Sequence, residues 1–591
     1  MCGIIGYIGG KKTTDILLEG LYALEYRGYD SAGVAISDFK DTEIIRSVGR
    51  VSLLEEKIKK ESKIDSTYGI AHTRWATNGE ANHTNAHPHK VGKVTLVHNG
   101  IIENSDLLKE ELIKEGYKFN SDTDSEVIAA LLDKYLKDND VLKAIDLLTK
   151  DLKGSYALGI MIDGDKKLYA LRKDSPLLLG IGDKENFLAS DITAIIKHTN
   201  KYILLEPREI AMLYEDKYEI FKNGIKIDKK VLVSDSKGID NSKAGYDHYM
   251  MKEIMEEPIV LKRLIERFSD KKEQEKLDLS LYKEIDIVAC GSAMYAGLVG
   301  QNLFEEYAGI KTTVYPASEY RYKKKIYNQK TLVILVSQSG ETADTIAAMR
   351  EAIELKVDTL AIVNNPDSTI AREAGKIILT NAGVEIAVAT TKAYILQVCV
   401  FAMMAFITGK NKGLIKEDFS LFQDVPNKLK LVLEKQDEYK ELAKKIYEKE
   451  SCFFIGRGID YALCMEGSLK LKEVSYLHSE AYQAGELKHG TISLVEEGMP
   501  VICIISNKEL KDKSTSNLKE TEARGALGII VTTEDLDDFN DYLKIVVPTS
   551  SKYTNSMLIV PALQLLSYYV ALNRGCDIDK PRNLAKSVTV E

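Results

Sequence analysis

The pattern of apolar residues changes near residue 235, and no single sheet architecture accommodates both sides of that change. Before it, short apolar segments at 3–8, 32–37, 68–71, 94–98 and 155–162 read as strands, with amphipathic helices at 13–24, 104–115 and 124–135. In the last helix Val127, Ile128, Leu131 and Leu132 share one face. Strands and helices without strict alternation predict α+β layers. A polar run at 233–249 then has the composition of a connector. Beyond it the order becomes strand, loop, helix: 285–292, then 331–340 followed by a helix at 341–355. Near-continuous apolar strands of this kind require a parallel sheet covered on both faces. A second set follows, with strands at 452–456, 500–506 and 527–533 and a helix at 461–474. The echo of Ala289-Cys290-Gly291-Ser292 in Phe454-Ile455-Gly456-Arg457 predicts two similar doubly wound units.

At 591 residues the chain has room for three or four domains. Lys plus Arg number 80 against 89 for Asp plus Glu, a net charge of −9, which argues against general nucleic-acid binding. The 7 cysteines include no CxxC pair and sit mostly in apolar runs, so disulfides are not expected. No basic, then apolar, leader is visible at the N-terminus. The most hydrophobic stretch, 393–408, reads as about 16 residues with Gln397 inside it, short of a bilayer span. A cytoplasmic protein without membrane contact is the expectation.

Met1-Cys2-Gly3 opens the chain, and removal of Met1 would leave Cys2 with its own α-amino group as a base of pKa about 7.7–8.0. The blocks Cys2-Gly3-Ile4-Ile5-Gly6, Arg27-Gly28-Tyr29-Asp30-Ser31-Ala32-Gly33, His72-Thr73-Arg74-Trp75-Ala76-Thr77 and His98-Asn99-Gly100 follow in order. Together they resemble the glutaminase domain of class II glutamine amidotransferases. The resemblance implies a Cys2 nucleophile that forms a glutamyl thioester and releases ammonia. It implies an oxyanion hole of the Asn99 side chain and the Gly100 N–H, and an Arg74 grip on the glutamine carboxylate. Asp124 would accept the α-ammonium, with Thr77 and His87 lining the pocket. Asn78 departs from the pattern, where a His is frequent. His83, His87 and His89 form an HxxxHxH cluster, expected to be a loop over the glutamine site rather than a metal centre.

In the second half, Ser337-Gln338-Ser339-Gly340-Glu341-Thr342 lies between a strand and a helix. Taken alone it reads equally as a capped helix or a phosphate cradle. No GxxxxGK[ST] occurs and Gly456-Arg457-Gly458 lacks a third glycine, so ATP and NAD are unsupported. With Cys290-Gly291-Ser292 this run resembles a sugar isomerase (SIS) domain. The runs at 466–473, 480–490 and 581–591 are similar to those of amidotransferases built on two SIS units. That resemblance implies conversion of fructose 6-phosphate and glutamine to glucosamine 6-phosphate and glutamate, opening amino-sugar synthesis, without metal or organic cofactor. It gives Ser292, Ser337, Gln338, Ser339, Thr342 and Thr390 to the sugar phosphate. Ser292 and Thr390 are hydroxyl-for-hydroxyl departures, and Ala293 stands where a Ser is expected. Glu473 becomes the acid–base group for the C1/C2 proton, on one helix face with Lys470 at i, i+3. His489 serves ring opening, Lys586 forms the Schiff base, and Trp75 gates ammonia passage.

The expected architecture is therefore multi-domain α+β and α/β. An N-terminal-nucleophile α/β/β/α glutaminase at 1–235 and a linker at 236–249 precede two doubly wound parallel-sheet SIS units at 250–430 and 431–580. A tail at 581–591 closes the sugar site, and a homodimer is implied. Two other readings stay open at this stage. Another class II amidotransferase would leave Glu473, His489 and Lys586 idle, and a sugar-phosphate-sensing regulator would not need Cys2.

Overall fold

A computed structural model describes residues 2–39, 41–64, 66–76, 79–234, 242–327 and 330–589. Thr77 and Asn78, and 236–241 of the expected linker, lie outside these residues. The chain forms two compact units, Met1–Asn241 with Ala585–Glu591, and Ser242–Leu584.

The first unit holds two antiparallel sheets. One has eight strands, with Gly3–Gly9 in its interior between Glu185–Ala189 and Tyr68–Arg74. The other has seven, with Val94–Ile102 paired to Gly154–Ile162. The period of two decides the layering. Ile4 and Ile8 join Val97, Ala157 and Met161 in a core between the sheets. Ile5 and Tyr7 point the other way, onto helices Thr13–Leu24 and Val51–Glu61. On the far side Leu96, Leu158 and Ile160 pack against helices Asp124–Leu136 and Val141–Asp151. The order is helix, sheet, sheet, helix, as expected for an N-terminal-nucleophile unit.

Two strands run further than their apolar pattern. Tyr68–Arg74 continues through His72, Thr73 and Arg74, and Val94–Ile102 continues through Asn99 and Gly100. The apolar signal stops where polar residues begin, but the ladder of backbone hydrogen bonds does not.

The second unit contains two five-stranded parallel sheets of the same order. The first runs Lys311–Pro316, Glu284–Ala289, Thr331–Ser337, Asp358–Val363, Lys376–Leu379. The second runs His478–Gln483, Ser451–Gly456, Pro500–Ile505, Leu527–Thr533, Leu543–Val547. Both are the 2-1-3-4-5 doubly wound order, which bears out the repeat. The interior strands, such as Thr331–Ser337 and Pro500–Ile505, are buried on both faces, while the edge strands are partly exposed. Ile287, Ile334 and Val336 face the large shared core, whereas Val288, Val333 and Leu335 face the opposite helices. Phe454 and Ile502, against Ile455 and Cys503, repeat the arrangement. The expected boundary at 430 falls inside helix Val425–Glu434, because that helix belongs to the core that the two repeats share.

The apolar stretch expected to span about 16 residues is a 20-residue helix, Lys392–Asn411, long and apolar enough to cross a membrane, and Ser556–Asn573 is another. Both are core helices: the first is buried from Lys392 through Gly409, Gln397 included. Within this core Phe406 meets Phe422 and Tyr553 edge-on at 5.5 and 5.3 Å. Phe406→Ala is expected to lower unfolding free energy by about 3–5 kcal/mol. Urea unfolding followed by circular dichroism checks it; a change under about 1 kcal/mol would mean that the core collapses to fill the hole.

Candidate active site

Cys2 precedes an interior strand, and Gly3 pairs with Thr73. That register brings residue 2 beside Trp75, whose N–H donates to Cys2 Sγ at 3.3 Å, while the thiol faces Trp75 O at 3.5 Å. From the other sheet Asn99 Nδ2 donates to Cys2 O at 3.0 Å. Gly100 sits at φ +139°, and a Cβ there would lie 2.1 Å from Ser155 O, so only glycine fits. Arg74 is buried, with Nη1 and Nη2 on the carbonyls of Glu80 and Gly79, each at 3.1 Å. Burial pushes the half-buried Cys2 thiol up, against the Trp75 N–H and the Arg74 charge. Burial also pulls Arg74 down, opposed by Cys2, Asp30 and Asp124.

Asp124 opens helix Asp124–Leu136 and accepts the Ile102 N–H at 2.8 Å. Asp30, inside the Arg27–Gly33 block, has no role legible in the sequence. Its Oδ2 accepts the Ala76 N–H at 2.8 Å and its N–H donates to Arg74 O at 3.0 Å, pinning the Arg74–Ala76 segment. Trp75 itself is half-buried.

The histidine cluster differs from expectation. His83 is exposed, but His87 and His89 turn inward instead of forming a loop over the site, and join His72 and His98. His87 Nδ1 lies 3.2 Å from His72 Nε2, His89 Nε2 lies 3.1 Å from Thr123 Oγ1, and His98 Nδ1 lies 3.0 Å from Ser125 Oγ. Four imidazoles are thus buried on the Asn99 side of the unit. Burial, with Arg74 and the neighbouring rings adding to it, holds His72 and His89 down to about 3. His87 lies well below the usual value and His98 below it, both chiefly through burial. Among the described residues no group of three or more His, Cys, Asp or Glu side chains is arranged to hold a metal.

In the second unit the strand order reverses between Glu284–Ala289 and Thr331–Ser337, and such crevices at strand C-termini take ligands. There Ser337 Oγ accepts the Gly340 N–H at 3.0 Å and lies 2.9 Å from Thr342 Oγ1, which heads helix Ala343–Glu354. Gly340 at φ +67° would place a Cβ 2.0 Å from Ser368 Oγ, so this turn also demands glycine. Gln338, Ser339 and Thr390 are half-buried. Ser292 donates to Glu466 Oε1 at 3.1 Å, tying the crevice to helix Ile459–Ser475. On that helix Lys470 Nζ lies 2.5 Å from Glu473 and 3.6 Å from Glu466.

Glu466 lies in the 466–473 run, where the sequence alone gives it no role. Burial raises its pKa to about 7 against the pull of Lys470. Lys470, also buried, stays above the usual lysine value because Glu473 and Glu466 outweigh desolvation. His489 ends the short turn Leu487–His489 and is exposed. Half-buried Lys586 lies in the tail segment that groups with the first unit.

These two arrangements define a class: a thiol-dependent glutamine amidotransferase joined to a doubled sugar-phosphate fold. A glutamine amidotransferase domain model matches 72–197, and an SIS domain model matches 278–407 and again 445–574. Proteins named glutamine–fructose-6-phosphate aminotransferase [isomerizing] from Clostridium tetani and Caldanaerobacter subterraneus subsp. tengcongensis are 46% and 45% identical to this chain, over 100% of both chains in each case. The C-terminal domain of glucosamine-fructose-6-phosphate aminotransferase from Francisella tularensis is 35% identical. It covers 58% of this chain and 100% of its own, with a TM-score of 0.55. The chain belongs to the glutamine–fructose-6-phosphate aminotransferase (isomerizing) family.

The neutral histidines have a stability consequence. Between the ordinary imidazole pKa of about 6.5 and the depressed folded values, the unfolded chain binds protons that the folded unit excludes. The stability they contribute is present above about pH 6.5 and falls as the pH drops, by roughly 1.4 kcal/mol per pH unit for each histidine involved. Fluorescence of Trp75, the single tryptophan, reports the first unit. Its denaturation midpoint should drop steeply from pH 6.5 to 5, and His87→Phe should reduce the slope by about one proton. A flat profile would contradict the burial of neutral rings.

Proposed function

We propose that the chain converts glutamine and fructose 6-phosphate to glutamate and glucosamine 6-phosphate, with the chemistry divided between the two units. With Met1 removed, the α-amino group of Cys2 takes the thiol proton and the sulfur attacks the glutamine side-chain amide. Asn99 and Gly100 donate to the developing oxyanion, Arg74 binds the substrate carboxylate, and Asp124 accepts the α-ammonium, with Thr77 and His87 lining the pocket. Water then hydrolyses the thioester, and the ammonia passes to the second unit under the control of Trp75.

There Ser292, the 337–342 turn and Thr390 bind the sugar phosphate. Lys586 forms the Schiff base and His489 opens the ring. Glu473 carries the proton between C1 and C2, with Lys470 holding its carboxylate in place. The 2.5 Å Lys470–Glu473 pair on the helix that Ser292 ties to the crevice carries this reading. A sensor of sugar phosphates would gain nothing from a half-buried carboxylate paired with a buried lysine there. The exposure of His489 on a single chain favours its use in a second copy's site, and hence a homodimer.

Separate lesions test the division. Cys2→Ala should abolish glutamine hydrolysis yet leave conversion of fructose 6-phosphate to its aldose intact. Glu473→Gln should do the reverse, lowering proton transfer by about 10²–10⁴. Trp75→Ala should keep glutamine hydrolysis while glucosamine 6-phosphate per glutamine falls. Loss of both activities from either of the first two lesions, in folded protein, would refute the division.

A further inference from the structure

His72 does no work in the chemistry above, yet its ring is wholly buried against the group that is to receive the oxyanion. Its Nε2 lies 3.1 Å from Asn99 Oδ1 and 3.0 Å from His98 O. Both neighbours are acceptors only. An unprotonated Nε2 would set a lone pair against two others, so the proton resides on Nε2 and is shared between the two oxygens. His87 Nδ1, at 3.2 Å from the same nitrogen, closes the remaining side.

An asparagine amide has two nearly isosteric orientations, and its surroundings choose between them. In the orientation observed, Oδ1 accepts from His72 and Nδ2 donates to Cys2 O at 3.0 Å. Rotated by half a turn, Nδ2 would face the His72 N–H and Oδ1 would face the Cys2 carbonyl. Both contacts would then be repulsive.

We propose that His72 is a positioning residue for glutamine hydrolysis: its Nε2–H fixes the Asn99 amide so that both Nδ2 protons point toward Cys2, one on the Cys2 carbonyl and one left for the oxyanion. The ring makes this donor dependable because it stays neutral and unexposed across the working pH range, held down by burial. The titratable and charged groups facing it are His87, His89, His98 and Arg74, the last a cation that further disfavours a second proton.

This inference rests on the oxyanion role given to Asn99, and a double-mutant cycle separates the two. Asn99→Ala should lower kcat for glutamine hydrolysis by about 10²–10³. His72→Phe should lower kcat about 10- to 100-fold, the reach of couplings within one hydrogen-bond network, with little change in KM for glutamine. His72→Gln, whose amide N–H reaches the Nε2 position, should recover most of that loss, whereas His72→Asn, which is too short, should not. His72→Phe combined with Asn99→Ala should be no worse than Asn99→Ala alone.

Alkylation of Cys2 by iodoacetamide needs the thiolate but no oxyanion hole. Read by intact mass, it should proceed at the parent rate in the His72 variants. Should His72→Phe not accumulate as folded protein, His72→Asn takes its place in the cycle. Full multiplication of the two losses, or alkylation slowed as much as hydrolysis, would overturn the positioning role and leave the oxyanion role of Asn99 standing. Parent-like hydrolysis in Asn99→Ala would instead overturn the oxyanion role, and the inference with it.

Discussion

The pairing of Gly3 with Thr73, together with the Asn99 hydrogen bond to Cys2 O, holds the thiol between two sheets, and the rest of the first unit is arranged around that placement. A terminal residue would ordinarily fray. Here the interior strand continues up to residue 3, and residue 2 inherits its position. The same register delivers the Trp75 N–H to the sulfur and, through Asp30, holds the Arg74–Ala76 segment. Four buried imidazoles behind Asn99 are the cost of this arrangement. Each must remain neutral and find polar partners, which makes the region rigid at neutral pH and vulnerable to acid.

The second unit solves a different problem with a duplicated fold. Both sheets present a crevice where strand order reverses, but the two are not equivalent. In the first repeat the turn after the third strand offers hydroxyls and N–H groups, from Ser337 to Thr342. In the second, the residue after the matching strand is Ser506, whose N–H donates to Asp460 at 3.0 Å. A carboxylate of the chain itself stands where an anion would bind, and its pKa is raised to about 6 by burial. The second repeat carries the helix with the Lys470–Glu473 pair instead, and in the proposed function one phosphate crevice with one proton-transfer group serves a single sugar.

Much of this was legible in the residues. Where the apolar pattern continues to a turn, as at 527–533, it marks the strand, and the amphipathic pattern at 13–24 marks the helix to the residue. The pattern failed where side chains serve the site. His72, Thr73, Asn99 and Gly100 continue their strands without apolar character, and hydropathy does not register them. Glu466 and Asp30 lie within recognisable sequence blocks, yet their partners are distant in sequence, Ser292 in one case and the Arg74–Ala76 segment in the other. The inward turn of His87 and His89 depends on His72 and Thr123 in the same way. The helix at 392–411 runs past the apolar stretch at both ends: buried Lys392 at its start is paired with Glu256 at 2.7 Å, and Lys410 and Asn411 at its end are exposed and need no burial.

The central claim is that nitrogen released at Cys2 is delivered to the sugar held by the second unit. Its most direct test is NMR of the purified chain with amide-¹⁵N glutamine and fructose 6-phosphate, in the presence of unlabelled ammonium. The account predicts label on C2 of glucosamine 6-phosphate, one for each glutamate formed and undiluted by the ammonium. Glutamate accompanied only by free labelled ammonium would contradict it.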